Sequence, residues 1–205
     1  MCSNRLCLGI FLLLFSIIHT ASAQSFELMP GTERIFIDVQ FLKYFDDVNG
    51  MSLFSRTRAT THYDELNTDL FTGVYLNYTT NSGIGATLLG RIGSNQSGMD
   101  IGLHYIKSSN NLTIFASPSV NVNDELLLSW FSIIRYTPTL KADWKLYSSL
   151  ELFSTFDKAG YLSDLQRIRL GLSKENYQWG FAVNLRDSRF SAQDINPGIF
   201  IRREF

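Results

Sequence analysis

Apolar and polar residues alternate with a period of two along nearly the whole chain, which is the pattern of half-buried strands. No segment shows the 3.6-residue period of an amphipathic helix. Clusters of Asn, Ser, Gly and Asp separate the alternating segments and favour tight turns. The pattern predicts strands over residues 34–45, 52–63, 70–79, 84–94, 99–107, 112–121, 125–137, 144–156, 165–173, 177–187 and 198–205.

Each predicted strand has one apolar and one polar face. In the strand 70–79, for example, Leu70, Val74 and Leu76 share one face, whereas Tyr75 and Asn77 share the other. About ten residues is the length that a tilted strand needs to cross a bilayer, and closure of the sheet removes its edges. The alternation therefore has two solutions, a membrane barrel with its apolar face outside or a soluble lipocalin-like barrel with its apolar face inside.

The composition of the polar face favours the membrane barrel. Glycines are frequent there, which suits a crowded lumen, and the cations are mostly Arg, which is better suited than Lys to buried, multiply hydrogen-bonded ion pairs. We therefore predict a network of charged and polar residues inside the lumen. Its members are Arg56, Arg58, Arg91, Asp100, His104, Arg135, Glu151, Arg167, Arg169 and Arg186.

The aromatic residues also favour a membrane barrel. If the carboxyl terminus lies in the periplasm, the turns near residues 46–50, 80–83, 108–111, 138–143 and 174–176 all fall on the periplasmic side. Aromatic residues flank these turns at one level, as in the interfacial belts of membrane proteins. The predicted belt consists of Tyr44, Tyr78, Tyr105, Tyr136, Trp144 and Trp179.

The outer connections predicted from the same count are only modestly longer, which leaves little room for a large extracellular lid. They are residues 64–69, 95–98, 121–124, 157–164 and 188–197.

The last strand carries a resemblance to a known family. It alternates through Ile199 and Ile201 and ends on the aromatic Phe205, the last residue of the chain. This end is similar to the carboxyl-terminal signal of bacterial outer-membrane β-barrel proteins, although Arg203 stands where that family usually has an apolar residue. The resemblance implies an antiparallel up-and-down barrel in outer-membrane lipid, with Phe205, Ile201 and Ile199 read by the barrel-assembly machinery.

A closed meander with both ends in the periplasm needs an even number of strands. Ten strands result if one predicted strand does not span the membrane. Twelve result if Ser25–Met29 adds a short first strand before a turn at Pro30 and Gly31. We favour twelve.

The amino-terminal segment predicts secretion. A short basic start is followed by an apolar run from Leu6 to Ile18 and by the small residues Ala21 and Ala23, which is the pattern of a cleaved signal peptide. The apolar run is too short for a membrane-spanning helix. We predict a signal peptide over residues 1–23 and a barrel domain over residues 24–205. Cys2 and Cys7 leave with the signal peptide, so no disulfide or thiolate chemistry is expected.

Little in the chain predicts catalysis. The net charge of −1 argues against nucleic acid as a partner, and two isolated histidines, His62 and His104, lack metal-ligand spacing, so we expect no metal and no cofactor. His62 lies close to Asp64 and Glu65 near the predicted outer rim, where an outer-membrane hydrolase would place its site. No serine motif accompanies it, so a non-enzymatic protein is the prediction and the hydrolase its alternative.

The lumen charges leave two functional interpretations. Arginines threaded with carboxylates would plug a narrow bore and give a structural barrel. Uncompensated arginines would instead give a narrow passive pore with a weak preference for anions. The sequence identifies no solute for such a pore.

Overall fold

The computed structural model describes residues 23–45, 50–64, 67–94, 97–122 and 127–205. Thirteen strands lie within these residues, and every pairing between them is antiparallel. Their bounds are β1 Ala23–Pro30, β2 Arg34–Tyr44, β3 Met51–His62, β4 Thr68–Thr79, β5 Ile84–Gly93, β6 Ser97–Ser108, β7 Leu112–Asn121, β8 Leu128–Tyr136, β9 Thr139–Lys141, β10 Trp144–Asp157, β11 Gly160–Lys174, β12 Tyr177–Ser188 and β13 Ser191–Glu204.

Twelve of the strands close into a barrel, and we call these twelve barrel strands staves. Each stave pairs with the next along the chain, and β13 returns to pair with β1 through the register Phe26 to Arg203 and Leu28 to Ile201. The short β9 lies within the connection between β8 and β10 and pairs with β10 alone. The predicted all-β antiparallel barrel with twelve strands is therefore confirmed, including the short first strand before Pro30.

The outward face of the barrel is mainly apolar. Alternate residues of most staves are large, hydrophobic and exposed, such as Leu103 in β6, Phe181 in β12 and Ile199 in β13, whereas the outward face of β3 includes Ser55, Thr57 and Thr61. In water this surface would be costly, because apolar area gains about 25 cal/mol per Å² when it leaves water. The arrangement is that of a membrane barrel and the reverse of a lipocalin-like one. The described residues contain no helix long and apolar enough to cross a membrane.

Two predicted outer loops are wrong. Residues 157–164 and 188–197 were expected to be connections, but β10 reaches Asp157, β11 begins at Gly160, and β13 begins at Ser191. Beyond the apolar band both faces of a hairpin contact water, so the strands continue there without hydrophobic alternation. Residues 97–98, expected in a turn, likewise belong to β6.

Other predicted features lie partly or wholly outside the described residues. They are the signal peptide apart from Ala23, with which β1 begins, most of the turn at residues 46–50, Glu65, and parts of the connections at residues 95–98 and 121–124.

The interior is not uniformly polar. Met29, Phe36, Tyr147, Ala182 and Phe200 form a buried apolar cluster against the lumen wall. Close packing of the wall there depends on glycine, because a Cβ atom on Gly171 would lie 2.0 Å from a backbone oxygen of the neighbouring β12, that of Trp179. These apolar residues occupy the parity that the sequence pattern had identified as polar.

Candidate functional site: the lumen

The centre of the lumen is occupied by five charged side chains, which we call the closing network: Asp38, Arg56, Arg58, Glu151 and Arg167. Arg56 donates to both oxygens of Asp38, from Nε at 2.8 Å and from Nη2 at 2.5 Å. Its Nη1 lies 2.7 Å from Oε2 of Glu151. Arg58 donates through Nη2 to Oε1 of the same Glu151, and Arg167 donates to that oxygen at 3.3 Å. All five side chains are at most 12% exposed.

The closing network spans the full width of the lumen. Arg56 and Arg58 belong to β3, and Glu151 belongs to β10, which is six staves away in a ring of twelve. Direct contact between diametrically opposite walls divides the cross-section of the lumen at this depth. Two cavities beside the network have volumes of about 20 Å³ and 30 Å³, which is room for a water molecule or two.

A second cluster extends the closing network toward β1. Arg169 donates to Oε1 of Glu27 from Nε at 3.0 Å and from Nη2 at 2.8 Å, and to Oδ1 of Asn184 from Nη1 at 3.0 Å. Arg202 lies 4.0 Å from the other oxygen of Glu27. The two clusters together hold five arginines and three carboxylates, so positive charge is in excess. The arginines are Arg56, Arg58, Arg167, Arg169 and Arg202, and the carboxylates are Glu27, Asp38 and Glu151.

Aromatic rings in the lumen wall compensate part of the excess positive charge. The guanidinium carbon of Arg167 lies 4.2 Å from the centre of the Phe36 ring, and that of Arg169 lies 6.0 Å from the Phe36 and Phe200 rings. The negative face of an aromatic ring attracts a cation, most strongly away from water.

Besides Arg169 and His104, four predicted lumen residues lie outside the closing network. On β5 and β6, Arg91 contacts Asp100 at 3.3 Å, and Asn121 also donates to Asp100. Arg135 lies 3.7 Å from Glu204, near the end of the barrel that holds both chain termini, which is the periplasmic end in the predicted orientation. Arg186 sits at the outer rim, half exposed and 3.7 Å from Asp69.

Below the closing network the lumen opens into a cavity of about 390 Å³, which we call the vestibule. Its wall is mainly apolar and aromatic, with Phe54, Phe115 and Phe131 as its largest rings. It runs from Gln40 and Tyr75 down to Tyr44 and Thr79 at the periplasmic ends of β2 and β4. The sequence pattern does not predict this cavity, because its rings alternate with polar residues on the inward face.

His104 is a wall residue of the vestibule. Its Nε2 lies 2.9 Å from Oγ1 of Thr79 and its Nδ1 lies 2.7 Å from Oγ1 of Thr87, while its ring stacks on Phe115. Thr87 donates its single hydroxyl proton to Asn77, so it accepts from Nδ1 of His104. This hydrogen-bond chain places a proton on Nδ1, and the ring is held from both sides by threonine hydroxyls.

His62 lies at the outer end of β3, opposite Arg34 in the register with β2. Asp64 follows it and is exposed. In the ranges that the structure describes, no group of three or more His, Cys, Asp and Glu residues could hold a metal ion. A hydrolase with its site near His62 stays the alternative to the predicted non-enzymatic protein.

The six predicted belt residues are exposed at the end of the barrel that holds both chain termini. Five of them face outward, whereas Tyr44 shares the inward parity of Gln40 and Leu42 and lines the vestibule. Trp144 and Trp179 contact each other edge to face at 5.6 Å. Phe205, Ile201 and Ile199 face outward at this end, where the amide of Phe205 donates to Gln24. Arg203, the departure from the family pattern, lies over the rings of Phe205 at 4.7 Å and Tyr177 at 5.4 Å.

Solved structures with a similar fold are bacterial outer-membrane barrels. Two structures of KdgM porin, one of them in complex with disordered oligogalacturonate, have TM-scores of 0.54 and sequence identities of 12% and 13%; each match covers 89% of this chain and 99% of KdgM. LpxR from Salmonella typhimurium has a TM-score of 0.53 at 8% identity, over 90% of this chain and 100% of LpxR. No protein-family model and no curated protein matches the sequence. At these identities the likeness shows that the chain has the fold of these barrels.

Proposed function

We propose that the chain is an outer-membrane β-barrel whose lumen is closed at mid-depth, so that it serves as a structural barrel rather than as an open porin. The observation that carries this proposal is the contact of Glu151 with Arg56 and Arg58 from the opposite wall. The apolar outward face and the fold shared with KdgM and LpxR support the location in the outer membrane.

The closing network is expected to exclude a solute such as the oligogalacturonate of the KdgM complex. The two cavities beside the network, of about 20 Å³ and 30 Å³, are far smaller than a sugar ring. Passage would require Arg58 and Arg167 to leave Glu151, which would strand buried charges.

Conductance in a planar bilayer tests the proposal. The refolded parent is expected to show no resolvable steady conductance. A variant with Arg56, Arg58 and Glu151 all changed to Ala removes the bridge between β3 and β10 and is expected to conduct. The matched control is Arg186→Ala, which shortens an exposed arginine at the rim and is expected to stay closed. Stable conductance of the parent, equal to that of the triple variant, would refute the closed lumen.

A second candidate function, a narrow passive anion pore, is favoured by the excess of arginine over carboxylate in the lumen. If small ions pass, anions are expected to pass more readily than cations. The double variant Arg167→Glu with Arg169→Glu is expected to move the reversal potential in a salt gradient toward cation preference. A conducting parent whose reversal potential does not respond to this change would contradict the proposal of an anion pore.

A further inference from the structure

The vestibule adjoins a second pocket at the end of the barrel that holds both chain termini. The second pocket, which we call the mouth pocket, has a volume of about 350 Å³ and shares the lining residues Gln40, Leu42 and Phe54 with the vestibule. Each volume lies in the range of small-ligand sites. The closing network bars this space from the outer side, so a ligand would enter from the periplasmic end.

The two parts of this space differ in chemistry. The vestibule is bounded by the rings of Phe54, Phe115 and Phe131, which suit an apolar chain. The mouth pocket adds the guanidinium groups of Arg135 and Arg202. An apolar compartment beside a cationic one is complementary to a molecule with an apolar tail and an anionic head.

The arginines of the mouth pocket are incompletely compensated. Arg202 is only 6% exposed, and no described residue accepts a hydrogen bond from its Nε or from Nε of Arg135. Both arginines share Glu204, at 3.5 Å and 3.7 Å, and Arg202 also lies 4.0 Å from Oε2 of Glu27, whose Oε1 accepts two hydrogen bonds from Arg169. Arg135, Arg169 and Arg202 therefore share only two carboxylates, Glu27 and Glu204, which leaves room for a single negative charge.

We propose that the vestibule and the mouth pocket bind a single-chain amphiphile with a carboxylate head, that is, a fatty-acid anion entering from the periplasm. Its tail lies among the aromatic rings of the vestibule, and its carboxylate accepts hydrogen bonds from Arg135 and Arg202. The site is independent of whether the lumen conducts, because both pockets lie on the periplasmic side of the closing network.

Binding of the tail can be tested with two neighbouring isoleucines. Ile133 lines the vestibule, whereas Ile134 points outward and is 44% exposed. Radiolabelled dodecanoate is dialysed to equilibrium against the full barrel domain in phosphatidylcholine nanodiscs, and uptake by empty nanodiscs is subtracted. The parent and Ile134→Trp are expected to bind one dodecanoate per barrel, and Ile133→Trp, which fills the cavity, is expected to bind at least about tenfold more weakly.

Binding of the head is tested by comparing dodecanoate with dodecan-1-ol, which has the same chain and no charge. Arg135→Gln is expected to weaken dodecanoate about tenfold, because a hydrogen bond to a charged group is lost, and to leave dodecan-1-ol unchanged. Equal binding of the acid and the alcohol by the parent would overturn the anionic head.

The heat-induced shift in gel mobility verifies that each variant is folded. If Ile133→Trp does not fold, Ile106→Trp fills the same cavity and Tyr105→Trp, on the outward face, is its control. Equal uptake of dodecanoate by a folded cavity-filling variant and its outward control, or no uptake by the parent above empty nanodiscs, would overturn the proposal.

Discussion

The two halves of the lumen differ in the side chains that fill them and in the volume that stays empty. At mid-depth, charged side chains meet across the bore and leave cavities of about 20–30 Å³. Toward the end that holds both chain termini, aromatic side chains line a cavity of about 390 Å³, and neighbouring rings such as Phe115 and Phe131 contact each other along the wall. Long guanidinium groups reach across and find carboxylates, whereas rings stay close to the wall. Closure of the lumen therefore depends on the reach and pairing of side chains, because the same twelve staves enclose both halves.

The comparison predicts that a single lost charge at mid-depth has the largest effect on stability. Glu151→Gln leaves Arg56, Arg58 and Arg167 around a neutral amide, and breaking a buried ion pair in this way costs about 3–5 kcal/mol. The free energy of unfolding by urea in lipid vesicles measures this cost. The control is Glu204→Gln at the periplasmic mouth, where the carboxylate is 42% exposed, and a loss no larger than that of the control would contradict the central role of Glu151.

The same aromatic deletion in both halves sharpens the contrast. Phe36→Ala removes a ring that is 1% exposed and packed under Arg167, so we expect a loss of about 3–5 kcal/mol, as in a close-packed core. Phe54→Ala removes a ring that already borders a cavity, so less packing is lost and we expect about half that value. Urea unfolding of both variants under identical conditions decides the point. Equal losses would mean that the vestibule wall is packed as tightly as the centre.

The smallest effect is expected at the outer rim. Arg186→Gln removes a half-exposed cation that lies 3.7 Å from Asp69, and exposed ion pairs contribute at most about 1 kcal/mol because water and salt screen them. The same unfolding measurement at low and high salt tests this. A loss comparable to that of Glu151→Gln would place Arg186 in the buried network, as the sequence pattern had suggested.

The outward face of the barrel was predictable from sequence because lipid favours apolar side chains there. Most lipid-facing positions are apolar, so the period of two identified eleven of the twelve staves. The first stave has only eight residues and ends at Pro30, so its alternation is short, and Glu27 was missed with it. The lengths of the outer hairpins were also predicted wrongly, because strands that project into water need not alternate between apolar and polar residues.

The lumen was less predictable because charged, polar and apolar side chains all occur at inward positions. Phe36, Phe54 and Phe131 share the inward parity with arginines, and the sequence alone does not show which inward residues meet across the bore. The partnership of Arg58 with Glu151 joins residues 93 positions apart. Runs in which both parities are apolar, such as Ile133 with Ile134, were the available signal for an apolar lumen wall.

The pairing of β13 with β1 has a consequence for the timing of assembly. Glu27 lies near the start of the domain, and its partner Arg169 follows 142 residues later. Contacts between distant parts of a chain form slowly, because the intervening chain must first be ordered. Until the seam between the first and last staves closes, the sheet is open and water hydrates the arginines along it. The closing network is therefore expected to form in the last step of folding, so that an unfinished barrel leaks and a finished one does not.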